Sequence, residues 1–362
     1  MLSSREKISV RQVTILFLLF VYSISIRIFP TYAAKTAERA GWLTPVVAML
    51  PFICLIYTNQ ALFKIKKNVN LSDIIIKVFG KIIGTIILTV YLIWTLLLLG
   101  IVLRYFSERF LSSILPNTPM NFLSVTIMAA VFYTLRHGIV YIVRTAEFFF
   151  LIIVVVYISV FLFIIPNIEV INLFPVTHYD VWPLMKASVS ILGVWSMFTL
   201  FFFFGDKIND KEHIKRFGMH CTLYLVIASL MLLIETIGVY GYSVMERVSL
   251  PYIFAIKSIS ILETIERIES VALAFWVIAD YLTISALVYV AISIIKSLFS
   301  VSEEKPFISS VSIFAFVFSN FVAHNRFELE NFTNNISLPG NIILGFIFPL
   351  VILIVGKVRK KV

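Results

Sequence analysis

The sequence predicts an all-α polytopic membrane protein, with about ten transmembrane helices in a single domain. Three observations carry this reading. Of 362 residues, 60% are hydrophobic and only 14% charged, with a mean hydropathy of +0.99. Soluble domains run near a quarter charged, so a surplus of apolar side chains is left to face lipid. The apolar residues come in long runs, such as FFFLIIVVVYISVFLFIIP over 148–166. A membrane barrel would alternate apolar and polar residues instead. Finally, the net charge of +10 gathers in short segments between the runs, which is the pattern of membrane topology rather than of nucleic-acid binding.

A helix needs roughly 20 apolar residues to cross the hydrocarbon. Spans are expected near 10–38, 42–62, 83–104, 120–135, 145–165, 183–204, 219–240, 270–292, 307–324 and 339–356. The start resembles a signal peptide, with Arg5, Lys7 and Arg11 before an apolar run and then Ala33-Ala34. The run is too long for one, and many spans follow, so it is read as the first span. With both termini cytoplasmic, the inner segments hold 20 of the 30 basic residues, and that bias supports ten spans. The polar loop 166–182 is too long for a tight turn, and 241–269 contains apolar residues at three- and four-residue steps, as an interfacial amphipathic helix would. Gly80 and Gly84 make a GxxxG at the edge of span three, read as ordinary close helix packing.

No nucleotide-binding, metalloprotease or nucleophile-elbow motif occurs, so no enzyme, cofactor or metal site is expected. Cys54 and Cys221 both fall in apolar runs and read as buried packing. The informative residues are polar ones at membrane depth. Asp280 lies about ten residues into span eight, near mid-depth, and its short side chain cannot reach the interface; it needs a cation or a proton. Asp280, its neighbour Thr283 and Glu235 in span seven are the candidates for charge coupling or for organising the site. Arg144 and Glu147 are spaced for a local ion pair, and Arg104 and Lys186 for snorkelling.

Arg27 is the unusual group. It sits in SISIRIFP, 23–30, where serines and a proline weaken a helix. A break over Ser23–Arg27, with the helix resuming at Pro30, would place Arg27 near mid-membrane and free backbone groups around a cavity. In span six, Ser190, Gly193 and Ser196 surround Trp195 and permit a second interruption. Discontinuous helices one and six are what inverted-repeat transporters use to hold substrate. Here the repeats would cover about 10–165 and 183–356 within one domain, 1–362. Ligand-binding candidates are therefore Ser23, Ser25, Arg27, Ser190, Gly193, Trp195 and Ser196.

A set of ordered motifs accompanies these spans: KIS followed by Gln12, Pro30 and then AERAGW, LPNTP (115–119), GIVYIVRTAE (138–147), INLFP (171–175), and IES (268–270) before the span that carries Trp276. Together they resemble the B-subunit, or permease-like subunit, of endospore nutrient germinant receptors, within the amino acid–polyamine–organocation transporter superfamily. The resemblance covers nearly the whole chain. It implies ten helices in a five-plus-five inverted repeat. It implies a place in the spore inner membrane beside an A-type subunit and a C-type lipoprotein subunit, and a small nutrient ligand, an amino acid above all, whose binding triggers germination. A proton-coupled amino acid permease is the alternative. The chain departs from the family pattern where ligand would be read. Ser23, Ser25 and Arg27 replace a glycine-bearing break, and Val194-Trp195-Ser196-Met197 replaces a Gly-Phe-Glu-like element. In this fold helices one and eight are neighbours. Arg27 is thus expected to pair with Asp280 or share its cavity, its guanidinium replacing the cation of sodium-coupled relatives and, with freed N–H groups, receiving a carboxylate, while Trp195 closes over the ligand.

Overall fold

The first apolar run begins at a capped helix end. Ser9 Oγ accepts from the Gln12 N–H at 3.2 Å, and Gln12 Oε1 accepts from the Ser9 N–H at 3.0 Å. This reciprocal box satisfies two donors that a helix start leaves orphaned, and it accounts for Ser9 and Gln12 in the first motif. The helix it opens, α1, runs from Val10 to Ala37. The computed structural model describes residues 7–64, 69–113, 115–259, 268–301 and 303–361.

After a 3-10 turn over Glu38–Leu43 come α2 (Thr44–Phe63), a short α3 (Leu71–Phe79), α4 (Lys81–Ser113), α5 (Met120–Leu135) and α6 (Ile139–Ile164). The next span is α7 (Val181–Trp195), which tightens into a 3-10 helix over Ser196–Lys207. Then follow α8 (Ile214–Tyr240), the short α9 (Tyr242–Met245) and α10 (Pro251–Ile256), α11 (Ile268–Phe299) and α12 (Lys305–Phe321). The last span comprises α13 (Arg326–Phe332), α14 (Leu338–Ile342) and α15 (Phe348–Val358), joined by π-turns at Thr333–Ser337 and Ile343–Ile347. Among the described residues, seven helical segments are long and apolar enough to cross a membrane; the first, Val10–Phe63, contains both α1 and α2, and α5 and α12 are shorter apolar helices. Each of the ten expected spans therefore has its helix. Of the amphipathic helix expected within 241–269, only the short α9 and α10 form among the described residues, and 260–267 lies outside them.

The structure corrects the expected break in helix one. α1 is continuous through Ser23, Arg27 and Pro30. Proline removes one hydrogen bond, to the Ile26 carbonyl, but packing holds the rod together. α1 is enclosed by α6, α7, α8 and α11, and nearly every residue from Leu16 to Pro30 is buried. Helix six is interrupted where the sequence permits it, its α-helix ending at Trp195. It changes from α to 3-10 geometry there and departs from helical backbone only at Phe204.

That 3-10 segment is clamped by the last span. π-turns release carbonyls from the regular ladder, and neighbouring side chains take them. Ser196 Oγ donates to Asn341 O at 2.9 Å, Thr199 Oγ1 to Gly345 O at 2.9 Å, and Tyr91 Oη to Leu344 O at 2.6 Å. A Cβ on Gly345 would lie 2.6 Å from the Ser196 carbonyl oxygen. Gly345→Ala is therefore expected to destabilise the fold by about 1–3 kcal/mol, read as a lowered Tm of detergent-purified protein. The GxxxG has a plain explanation. Gly80 turns the corner between α3 and α4 at φ +88°, and a Cβ on Gly84 would stand 3.0 Å from Ile76 Cα, so the pair folds α3 onto α4.

Ile8 and Arg359, near the two limits of the described residues, lie at one end of the bundle. Ile8 N–H donates to Lys207 O at 2.9 Å, and Asn209 N–H to Ile8 O at 3.0 Å. Arg359 Nη1 donates to Val78 O at 2.9 Å. Glu147 does not pair with Arg144; it accepts from Arg11 at 2.8 Å and Gln12 at 2.7 Å, tying α6 to the first turn of α1. At the far end, Trp42 of the AERAGW motif donates to Leu173 O of the INLFP motif at 3.3 Å.

Candidate functional site

Asp280 and Trp276 are one turn apart on α11 and so share a face, which meets α1 at Ser23. Asp280 Oδ1 accepts the Ser23 hydroxyl, and the Trp276 indole N–H donates to the Ser23 carbonyl at 2.9 Å. The cation that Asp280 requires comes from a third helix. Arg109, near the end of α4, forms an ion pair with its Oδ2, with side-chain exposures of 3% and 2%. The guanidinium also lies over the Trp276 ring, 4.0 Å from its centroid. One carboxylate thus joins α1, α4 and α11 beneath the surface. The expectation that Asp280 pairs with Arg27 is corrected. With α1 unbroken, Arg27 sits a helical turn beyond Ser23 and is directed at α4, where its guanidinium stacks 3.6 Å from the Tyr105 ring centroid.

Arg27 lines a cavity of about 120 Å³ at the end of the bundle opposite Ile8 and Arg359. Its walls carry both signs of charge: Arg27 and Lys35 from α1, Glu246 from the turn after α9, and Glu330 from α13. Tyr105 forms part of the floor, its hydroxyl 3.0 Å from Thr333 Oγ1. The acids have only partly exposed or exposed partners: Glu330 takes Arg326 at 2.6 Å, and Glu246 takes Arg247 at 3.3 Å. Arg27 Nε is buried and has no hydrogen-bond partner among the described residues.

The other candidates do not share this cavity. Ser25 Oγ turns back to Tyr22 O at 3.3 Å and lines a smaller void of about 20 Å³. Ser190 bonds its own helix at Ala187 O, 2.8 Å away, and Gly193 lets Leu338 approach to 3.0 Å of where its Cβ would be. Ser196 is spent on the last span, as described above. Trp195 is fully buried, 5.4 Å from the Phe52 ring, and its indole N–H has no partner among the described residues. Thr283 bonds back to Ala279 O at 2.8 Å. Glu235 is buried on α8. The small residues of span six thus serve helix packing, and the seven proposed ligand contacts are not gathered into one chamber.

Two groups escaped the sequence reading. Arg109 falls outside the span expected near 83–104, yet no helix breaker stands between Arg104 and Pro116. The helix continues to Ser113, and Arg104 itself is buried and paired with Glu108 at 2.9 Å rather than snorkelling. Glu330 lies in a segment read as loop because its acids and asparagines hide the helical run into the last span.

The fold is that of a polytopic helical membrane protein with a buried charge site among its helices. Solved structures agree on the fold. One is a nucleobase-cation-symport-1 family transporter in a closed conformation with bromovinylhydantoin bound, which superposes with a TM-score of 0.62 at 14% identity, covering 93% of this chain and 76% of that one. Another is a mutant manganese transporter of Eremococcus coleocola, with a TM-score of 0.59 at 14% identity, covering 96% and 84%. These neighbours are transporters with inverted repeats. Spore germination protein KB of Bacillus subtilis (strain 168) is 22% identical over 99% of this chain and 96% of its own length, and spore germination protein A2 of the same strain is 24% identical over 80% and 79%. The spore permease family model, described as spore germination protein, matches residues 7–327. The chain belongs to that family, and it is a multi-pass membrane protein of the germinant receptor or permease kind rather than an enzyme.

Proposed function

We propose that this chain is the nutrient-binding membrane subunit of a germinant receptor. It takes a small zwitterion, an amino acid above all, in the cavity beside Arg27, and the resulting shift of α1 starts germination. The observation that carries this reading is the pairing of charges around one cavity of about 120 Å³: Arg27 and Lys35 on one wall, Glu246 and Glu330 on the others. Opposed charges of that kind suit a carboxylate and an ammonium on the same small molecule. The acids can exchange partners cheaply, because solvent-accessible ion pairs contribute little. Arg27 and Ser23 lie on the same rod, so a ligand held at Arg27 biases the Ser23–Asp280–Arg109 junction by its differential affinity for the two arrangements. Because Arg109 occupies the carboxylate of Asp280, binding needs no alkali cation there. The subunit sits in the spore inner membrane with both termini on the core side, and an A-type subunit and a C-type lipoprotein complete the receptor.

The test is equilibrium binding of labelled amino acids to the chain in lipid nanodiscs, with competition by analogues that lack either charge. Competition by zwitterions, and not by the matching amine or carboxylic acid, is expected. Equal competition by a singly charged analogue would overturn the site. Accumulation of label inside proteoliposomes driven by a proton gradient would assign the chain as a permease instead.

A further inference from the structure

Glu235 has no role in the zwitterion cavity or at the Asp280 junction. It is 0% exposed, and neither carboxyl oxygen has a hydrogen-bond partner among the described residues. It enters none of the ion pairs found there. Among the described residues, titratable groups near it come from three other helices: Tyr22 of α1, Tyr157 of α6 and Tyr252 of α10. Tyr224 of its own helix and Arg109 of α4 are neighbours of Tyr22. The tyrosines pack on one another, with ring centroids 5.8 Å apart for Tyr22 and Tyr157 and 6.0 Å for Tyr157 and Tyr252. The Tyr157 hydroxyl is spent on Ala228 O at 2.9 Å.

Beside this cage lies the void of about 20 Å³ lined by Tyr22, Ser25, Tyr157, Tyr224 and Ser229, with room for a single water. Its walls are mostly carbon, which does not suit a metal cation that needs several oxygen ligands. A carboxylate stripped of water and of partners costs far more than the neutral acid. The closed packing therefore accommodates Glu235 with its proton on.

We propose that Glu235 is a proton-binding site that reads whether α1, α8 and α10 are closed on one another. The carboxyl keeps its proton while the tyrosines enclose it. When these helices part, its O–H bond breaks, the electron pair stays on the carboxylate, and the proton passes to water entering by the small void. Opening then releases one proton, whichever nutrient drives it.

The experiment is amide hydrogen exchange of the full chain in lipid nanodiscs, followed at Pro251–Ile256 and at the adjoining end of α8 and corrected for the intrinsic pH dependence of exchange. Loss of one proton on opening makes the open population rise about tenfold per pH unit above the range of an exposed carboxyl. The wild-type chain is expected to show that slope, Glu235→Asp to keep it, and Glu235→Gln to show none. A wild-type chain without the slope, or a Glu235→Gln chain with it, overturns the proposal. If Glu235→Gln does not fold, infrared spectroscopy of the wild-type chain decides. A deuterium-sensitive protonated-carboxyl band that disappears as exchange rises supports the site, and a chain lacking that band overturns it.

Discussion

Arg109→Ala is expected to be the most damaging single change in the chain, lowering stability by about 3–5 kcal/mol because it leaves Asp280 buried without its cation. Among the described residues no second cation pairs with Asp280. Asp280 keeps the Ser23 hydroxyl, but Arg27 is turned away onto Tyr105. Asp280→Asn strands the guanidinium and should cost a similar amount. Together, Arg109→Leu and Asp280→Leu should recover much of the loss, since a buried ion pair is often matched by apolar residues of similar volume. The measurement is Tm of detergent-purified variants, combined as a double-mutant cycle. Single variants as stable as the wild-type chain, or losses that simply add, would show that the pair does not join α4 to α11. The same variants probe cation dependence. In Arg109→Ala the Asp280 carboxylate and the Ser23 hydroxyl remain as oxygen ligands, so alkali cations should stabilise this variant and leave the wild-type chain unaffected. Insensitivity of the variant to the choice of salt would count against the guanidinium standing in for an ion.

This junction marks where sequence reading succeeds and where it stops. Asp280 was legible because a short acid deep in an apolar run has few explanations. Its partner was not. Arg109 lies in RYFSERF, where two arginines and a glutamate within seven residues look like the end of a span. Hydropathy averages such a stretch and cannot see that one guanidinium points inward onto Trp276. The ten apolar runs were legible as helices because each is a sustained apolar stretch, although α5 and α12 are shorter than a full span. The contacts of the motifs were partly legible too. Ser9 and Gln12 form a local cap, whereas the meeting of Trp42 with Leu173 depends on how distant loops come together. The predicted break in helix one failed for the same reason. Pro30 and the serines do weaken the local ladder, but burial of α1 among four neighbours outweighs that preference. Local propensity decides where a helix is free to choose, and α1 is not free.

Arg27→Ala should leave the protein folded in the membrane and remove its response to nutrient. Arg27 is only partly buried and holds no ion pair among the described residues, so its loss strands no charge. What disappears is the cation that faces Glu330 and Glu246 across the cavity. A charge-assisted hydrogen bond contributes about 1.5–3 kcal/mol, so amino acid affinity should fall by roughly tenfold to 150-fold. Arg27→Lys separates charge from shape. The ammonium keeps the sign but cannot lie flat on Tyr105 or present a planar fork to a carboxylate, so an intermediate loss is expected. Tyr105→Leu should weaken binding through the lost ring contact, about 0.5–2 kcal/mol, and also lower Tm, because the ring is buried and its hydroxyl meets Thr333. Glu330→Gln should act on the opposite end of the ligand, weakening amino acids by removing the partner of their ammonium. Binding in nanodiscs and germination of spores carrying each variant are the two readouts. If Arg27→Ala spores, with the subunit present at its normal level, germinate as wild-type spores do, then the nutrient is read elsewhere, and the charge pattern of this cavity belongs to the packing of α1 against α4 and α13.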